Sequence, residues 1–204
     1  MENPGLAVNR DAELSRDRLR TLLRKRRLAV PAGERMAAAE ALAHRLRQLP
    51  ELNGPAYVAG YWAVQGEISL HAVLSPRPPF VYCLPCLAPG KHLRFAAWRF
   101  GDALVQNRYG IPEPELEPAS QRSPNALDVV LVPLVGFDAR GHRLGAGGGY
   151  YDRSFAFLKA VERPARPRLI GVAYDFQEVE ALQVEAWDVA MDAVVTPTRT
   201  LLCR

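Results

Sequence analysis

The sequence predicts a three-layer α/β fold: a single domain with a largely parallel sheet flanked by helices. Three observations carry this. Short apolar runs recur along the chain, such as YVAGYW at 57–62, DVVLVP at 128–133 and RLIGVAY at 168–174. Their length and composition suit strands buried on both faces. Helical patterns alternate with them, as expected of parallel strands joined by crossovers. Finally, 204 residues suit one sizeable core rather than two.

The elements follow in order. Residues 1–10 read as a ragged tail, and residues 11–204 as the single domain. From Asp11 the pattern turns helical. Leu14, Leu19, Leu22, Leu23 and Leu28 interleave with Arg16, Arg18, Arg20, Arg24, Lys25, Arg26 and Arg27, and Pro31 ends the run. A second, Ala-rich helix is predicted over 33–48, with Met36, Ala39, Leu42, Ala43 and Leu46 at helical spacing. Pro50, Asn53, Gly54 and Pro55 mark a loop. Strands are predicted over 57–62, 80–84 and 93–98, with a short helix over 68–74. Residues 101–124 read as irregular, because Pro112, Pro114, Pro118 and Pro124 deny donors to a sheet. Such a long loop is usually functional. A buried strand at 128–133, a glycine-rich loop, a helix over 150–161 and strands at 168–174 and 193–196 complete the chain, the last of these being the final strand.

Composition excludes several classes. The hydrophobic fraction of 49% and charged fraction of 24% are those of a globular chain, not a disordered one. No apolar run is long enough to span a membrane. The first ten residues lack the apolar core of a secretory signal. Three cysteines cannot build a disulfide framework, and a cytoplasmic setting is the simplest expectation. Cys83 and Cys86 form a C-x-x-C inside a strand pattern, with no second pair to complete a zinc site. The four histidines lack ligand spacing and read as mostly surface residues, and no Ser-His-Asp order is present.

Of the 26 basic residues only Lys25, Lys91 and Lys159 are lysines. Arginine grips phosphates and carboxylates with a planar fork. A GC-rich genome would produce the same bias. Residues 10–27 hold a local excess of positive charge. It reads as a solvated helix face or as an anion contact by one or two arginines.

The segment GFDARGHRLGAGGGYYDR at 136–153 is the most informative. Gly141, Gly145, Gly147, Gly148 and Gly149 follow a buried strand and precede a helix start. Glycines let backbone amides turn inward toward a polyphosphate, and a helix N-terminus adds partial positive charge. Arg143 adds a full charge. The spacing matches neither a Walker A loop nor a dinucleotide fingerprint. Asp152 directly follows. It reads either as a carboxylate sharing a cation such as Mg²⁺ with bound phosphates, or as a first-turn helix Asp.

From Ser15 to Thr196 the chain resembles the 5-formyltetrahydrofolate cyclo-ligase, or methenyltetrahydrofolate synthetase, family. RLGAGGGYYDR at 143–153 looks like that family's signature, and DVVLVPLVGFDARG resembles the strand and turn before it. RDRLR near the start, QGEI at 65–68, YGIPEP at 109–114 and QVEAWDVAMDAVVT at 183–196 are similar to further family pieces in the same order. The resemblance implies a fold related to isomerases and CoA-transferases. It also implies ATP-dependent conversion of 5-formyltetrahydrofolate to 5,10-methenyltetrahydrofolate with Mg²⁺, ADP and phosphate. Arg16 and Arg20 match the ATP-contacting basic motif, with Arg16 standing where members commonly carry Lys. Arg143, Leu144, Gly145, Ala146, Gly147, Gly148, Gly149, Tyr150 and Tyr151 match the ATP phosphate loop, where some members have Lys in place of Gly148. Asp152 and Asp188 match the Mg²⁺ ligands, with Asp192 competing for the second place. Trp62, Glu67 and Tyr109 match folate-contacting positions, and Tyr150 lies where both substrates meet. Read as residues alone, Trp62 suits a core, Glu67 a helix cap and Tyr109 a turn anchor. The expected partners are reduced folate and ATP, with no nucleic acid and no membrane, for a monomer. The rival readings are an RNA- or nucleotide-binding module on the same scaffold and a phosphate-binding sugar isomerase.

Overall fold

A computed structural model describes residues 15–203. The tail over 1–10 and the predicted helix start at Asp11 lie outside them. Helix α1 (Arg16–Leu28) is capped by the Ser15 hydroxyl and is followed by α2 (Ala32–Leu46). Strands β1 (Tyr57–Ala59), β2 (Val81–Ala88) and β3 (His92–Ala97) come next. A small hairpin, β4 (Leu104–Gln106) and β5 (Pro112–Pro114), precedes β6 (Val129–Pro133). The pair β7 (Gly136–Phe137) and β8 (Arg143–Leu144) leads to α3 (Tyr150–Ser154). Strands β9 (Arg168–Val172), β10 (Ala193–Val195) and β11 (Thr200–Leu202) close the chain.

The main sheet has seven strands in the order β11-β10-β9-β6-β1-β2-β3. Its five central strands are parallel, and β3 and β11 run antiparallel at the edges. Residues alternate between two cores. Val58, Leu84, Val129, Leu131 and Ile170 face α2 with Leu42 and Leu46. Ala59, Cys83, Val130, Val132 and Leu169 face Phe155 and Leu158 on the other side. Three layers result, as the alternating pattern predicts. Helix α1 lies on neither large face cluster. Leu19 and Leu23 pack with Val135, Leu144, Val179 and Leu182 beyond the strand ends.

Three expectations need correction. Residues 101–124 are not wholly irregular, since β4 and β5 pair within them. Asn107 donates to Ile111 and Glu115 to Ala103, so the ladder bonds fall on odd-numbered residues. Pro112 and Pro114 occupy the alternate positions, where an N–H would point away from the partner, and no ladder donor is lost. The helix predicted to reach Val161 stops at Ser154 and resumes as a 3-10 segment over Ala156–Ala160. The break lies at Phe155, whose fully buried ring packs near Phe95 and Tyr151. The strand at 193–195 is not the last, because β11 turns back beside it. His44, His71 and His92 are exposed, as expected of mostly surface histidines, while His142 is half-buried with its Nδ1 2.9 Å from the buried Asp138 carboxylate.

The parallel strands run outward in both directions from the β1/β6 boundary. β2 lies on one side, and β6, β9 and β10 follow in turn on the other. Such a reversal opens a crevice at the carboxyl ends of the two strands flanking it, where ligands bind in open α/β sheets. The chain leaving β1 enters 60–70 and the chain leaving β6 enters 134–149, so both segments singled out by sequence meet there.

Candidate active site

The glycine loop at 145–149 is shaped from outside by arginines. Arg20 Nε donates to the Gly145 carbonyl at 3.0 Å and Arg24 to the Ala146 carbonyl at 2.7 Å. Arg153 donates to the Gly148 carbonyl at 3.0 Å. Gly147 and Gly149 hold φ of +95° and +70°, which side chains rarely adopt. With the carbonyls turned outward to arginines, none of the five amides from Gly145 to Gly149 donates to an acceptor among the described residues. Successive unpaired amides in a concave turn form an anion nest. Helix α3 is only five residues long, so its dipole is small and the loop amides are the main backbone donors.

Two ion pairs flank the nest. Arg143 is buried and binds the Asp152 carboxylate, which also accepts from the Val189 amide at 3.2 Å. Arg143 Nε is buried without a partner, as is Arg24 Nε. Both are donors free to meet a ligand, although Arg168 Nε at the opposite end of the sheet and Trp98 Nε1 are likewise unpaired. Arg16 donates to Asp188 at 2.6 Å and to the Gln183 carbonyl at 2.8 Å. Burial pushes the Asp188 carboxyl up, but the Arg16 hydrogen bond, the Glu185 amide and the charges of Arg16 and Arg143 outweigh it. Asp188 therefore ionises below the ordinary carboxylate value, and the same hydrogen bond raises Arg16. Asp192 is engaged elsewhere, by Arg163 and by the Leu169 and Cys203 segments.

The carboxylates suit a hard cation in part. Asp152 Oδ2 takes no hydrogen bond from the described residues, whereas both oxygens of Asp188 are held by Arg16. No group of three His, Cys, Asp or Glu converges among the described residues. Mg²⁺ fits such a site when phosphate and water complete its shell, which is how that ion is usually held.

The predicted folate positions divide into two groups. Tyr109, on the β4–β5 turn, is 56% exposed. Its hydroxyl lies 2.8 Å from that of Tyr150, with the rings edge to face. Arg108 reaches both tyrosines. Hydrogen bonds from Tyr109 and Arg108 draw the Tyr150 hydroxyl below its ordinary value. Tyr151 turns the other way, stacking on Phe155, and burial raises its hydroxyl. Glu67 is largely buried; its Oε2 accepts from the Val64 amide at 3.1 Å and its Oε1 lies 3.6 Å from Arg27. Trp62 sits apart from these contacts, edge-on to Trp98 and His71, with Phe100 beyond. It packs against the α2-side core, as the residue-only reading expects.

Arg24, Arg27 and Arg108 were not singled out as contacts by the sequence reading. For the first two a signal existed: Arg16, Arg20, Arg24 and Arg27 share one helical stripe. Cys83 and Cys86 occupy odd and even positions of the regular strand β2 and so face opposite sides. Burial raises their thiols to about 11 and about 12.

Comparison with known proteins finds relatives along most of the chain. The model of the 5-formyltetrahydrofolate cyclo-ligase family matches residues 12–197. The chain is 33% identical over 182 residues to the 5-formyltetrahydrofolate cyclo-ligase of Escherichia coli K12, covering 87% of this chain and 98% of that one. It is 35% identical over 181 residues to that of Haemophilus influenzae, covering 86% and 94%. The solution structure of 5,10-methenyltetrahydrofolate synthetase from Aquifex aeolicus superposes with a TM-score of 0.77 at 31% identity, covering 94% of each chain. A 5,10-methenyltetrahydrofolate synthetase from Mycoplasma pneumoniae shares the fold, with a TM-score of 0.68 at 24% identity. With its glycine loop at the sheet's switch point, and matched over nearly its whole length, the chain belongs to the 5-formyltetrahydrofolate cyclo-ligase family.

Proposed function

We propose that the chain converts 5-formyltetrahydrofolate and ATP into 5,10-methenyltetrahydrofolate, ADP and phosphate. A formamide carbonyl is a poor electrophile. Its oxygen attacks the γ-phosphorus and ADP departs. Folate N10 then adds to the activated carbon, the N10 proton is lost, and phosphate leaves with the former formyl oxygen. Phosphoryl transfer of this kind needs positioning and charge stabilisation more than a protein nucleophile. That agrees with a site built from arginines and amides.

The single observation that carries the reading is the row of unpaired amides at 145–149, whose carbonyls are occupied by Arg20, Arg24 and Arg153. In this reading the amides and Arg143 hold the phosphates. Arg16 keeps the Asp188 segment against α1. Asp152, through its free Oδ2, would hold Mg²⁺, joined by Asp188 where that carboxylate gives up part of its Arg16 pairing; the ion would supply neutralisation of phosphate charge. Tyr109 and Tyr150 face the folate ring, and Glu67 accepts its N–H donors. Trp62 stands apart from these residues, in an aromatic cluster with His71 and Trp98.

The RNA-binding alternative loses its main support. Arg16, Arg20, Arg24 and Arg27 turn toward the chain and bond to it, leaving no continuous basic stripe on α1. No helix among the described residues is long and apolar enough to cross a membrane. We take the enzyme to act as a cytoplasmic monomer on small molecules. The test is spectrophotometric. Protein, ATP, Mg²⁺ and 5-formyltetrahydrofolate should produce methenyl absorbance in the near ultraviolet, with ADP formed in step. Absorbance that does not depend on ATP would refute the reaction.

A further inference from the structure

Arg27 is an unusual arginine, only 3% exposed at the end of α1. Its Nε donates to the Gln65 carbonyl at 3.0 Å, in the segment leaving β1. One terminal nitrogen donates to the Leu134 carbonyl at 3.1 Å, in the segment leaving β6. The same nitrogen lies 3.6 Å from Glu67 Oε1. One guanidinium thus ties together both strands of the switch point and faces the carboxylate. The backbone is equally close: a Cβ on Gly66, which has φ of +77°, would lie 2.8 Å from the Arg27 carbonyl oxygen. The turn at 65–67 is therefore moulded onto α1. Burying an arginine is costly unless its charge is answered, and among the described residues the carboxylate paired with it is Glu67.

We propose that Arg27 is a positioning residue that keeps the Glu67 carboxylate ionised and aimed into the crevice for the folate. This rests on the reading of Glu67 as a folate contact. The groups bearing on Glu67 are few. Arg27 and Arg24 face it from α1, the Val64 amide and Tyr61 from its own segment, and Tyr151 from α3. Burial raises the Glu67 carboxyl, while Arg27 first, then the Val64 amide and Arg24, oppose the rise. Removing the Arg27 charge takes away the strongest opposing influence, and Glu67 would hold its proton to higher pH.

The test compares three variants in steady-state kinetics across pH. Arg27→Gln removes the charge but can still donate to a carbonyl. Arg27→Lys keeps the charge and loses the fork. Glu67→Gln reports on Glu67 itself. Arg27→Gln should raise folate KM about tenfold at neutral pH. KM should recover as pH rises, with its inflection displaced upward by about one pH unit or more. Arg27→Lys should keep the wild-type inflection, and ATP KM should stay near wild type in both. Adding Arg27→Gln to Glu67→Gln should cost folate KM little more. An unshifted inflection in Arg27→Gln, with folate KM raised in Glu67→Gln, would overturn the role of Arg27 alone. An unchanged folate KM in Glu67→Gln would instead overturn the reading of Glu67. If Arg27→Gln does not fold, a shifted inflection in Arg27→Lys would equally overturn the proposal, because the charge is retained.

Discussion

Where the parallel strands begin, Arg166 binds Asp128 at 2.8 Å, Arg168 binds Glu51, and Asp128 also accepts from the Tyr57 amide at 2.9 Å. Glu51, Asp128, Arg166 and Arg168 line a cleft of about 490 Å³. Where the same strands finish there are ion pairs too, Arg16 with Asp188, Arg27 with Glu67 and Arg143 with Asp152, but Arg20, Arg24, Arg27 and Arg153 also bond to backbone carbonyls. The residue types at the two ends are alike. At the first end both arginines pair with carboxylates, and Asp128 takes up a backbone donor as well. At the second, arginines occupy acceptors and leave the loop amides unpaired, so the surplus of donors awaits an anion. The two ends thus differ in what the arginines touch: carboxylates at the first, and the carbonyls of the glycine loop besides carboxylates at the second.

The sharpest way to break the comparison is to remove a carboxylate at each end. Asp152→Asn should lower kcat about a hundredfold or more, since metal neutralisation supplies several kcal/mol. Asn is the better substitution, because Ala would strand the buried Arg143 and confound activity with folding. Asp128→Asn should lower the melting temperature and leave kcat near wild type. Equal kinetic losses at both ends would erase the distinction. Next, Arg20→Ala with Arg24→Ala should raise ATP KM about tenfold, the loss of charged hydrogen bonds that shape the loop. Arg168→Ala, as the control at the other end, should leave both KM values unchanged.

Tyr109→Ala should raise folate KM roughly fivefold, the worth of a lost aromatic contact. Because Tyr109 also touches Tyr150, Tyr109→Phe separates ring from hydroxyl. A ring-stacking role predicts that Phe restores most of the affinity. The smallest effect belongs to the strand thiols. Cys83→Ala with Cys86→Ala should preserve kcat, and the native thiols should resist alkylation at neutral pH. Burial raises both from an ordinary value of 9.0 to about 11 and about 12. Their neutral form therefore favours the folded state. That contribution is fully present below the unfolded pKa and is lost as pH climbs toward the folded values. Rapid alkylation at neutral pH would contradict the burial.

Much of this was legible in the chain. The run Val129–Pro133 is apolar on both faces, and the strand it makes is covered on both sides. The glycine loop announces itself by composition. What was not legible depends on tertiary packing. The prolines of β5 mislead because their effect turns on which face of the ladder they occupy. The break at Phe155 comes from a ring drawn into the core, against a locally helical pattern. Tyr109 and Tyr150 meet across 41 positions, a separation that no local periodicity reports. The inward arginines of α1 were visible as a stripe, but not that carbonyls would be their partners.

The central claim is that the amides at 145–149 hold phosphate. It is tested most directly by amide nuclear magnetic resonance of isotope-labelled protein during titration with Mg²⁺ and ATP. The amides of Gly145, Gly147, Gly148 and Gly149 should shift together and saturate at one affinity, while those of Tyr57 and Asp128 stay in place. A titration that moves amides at the strand beginnings and leaves the glycine loop unchanged would contradict the account.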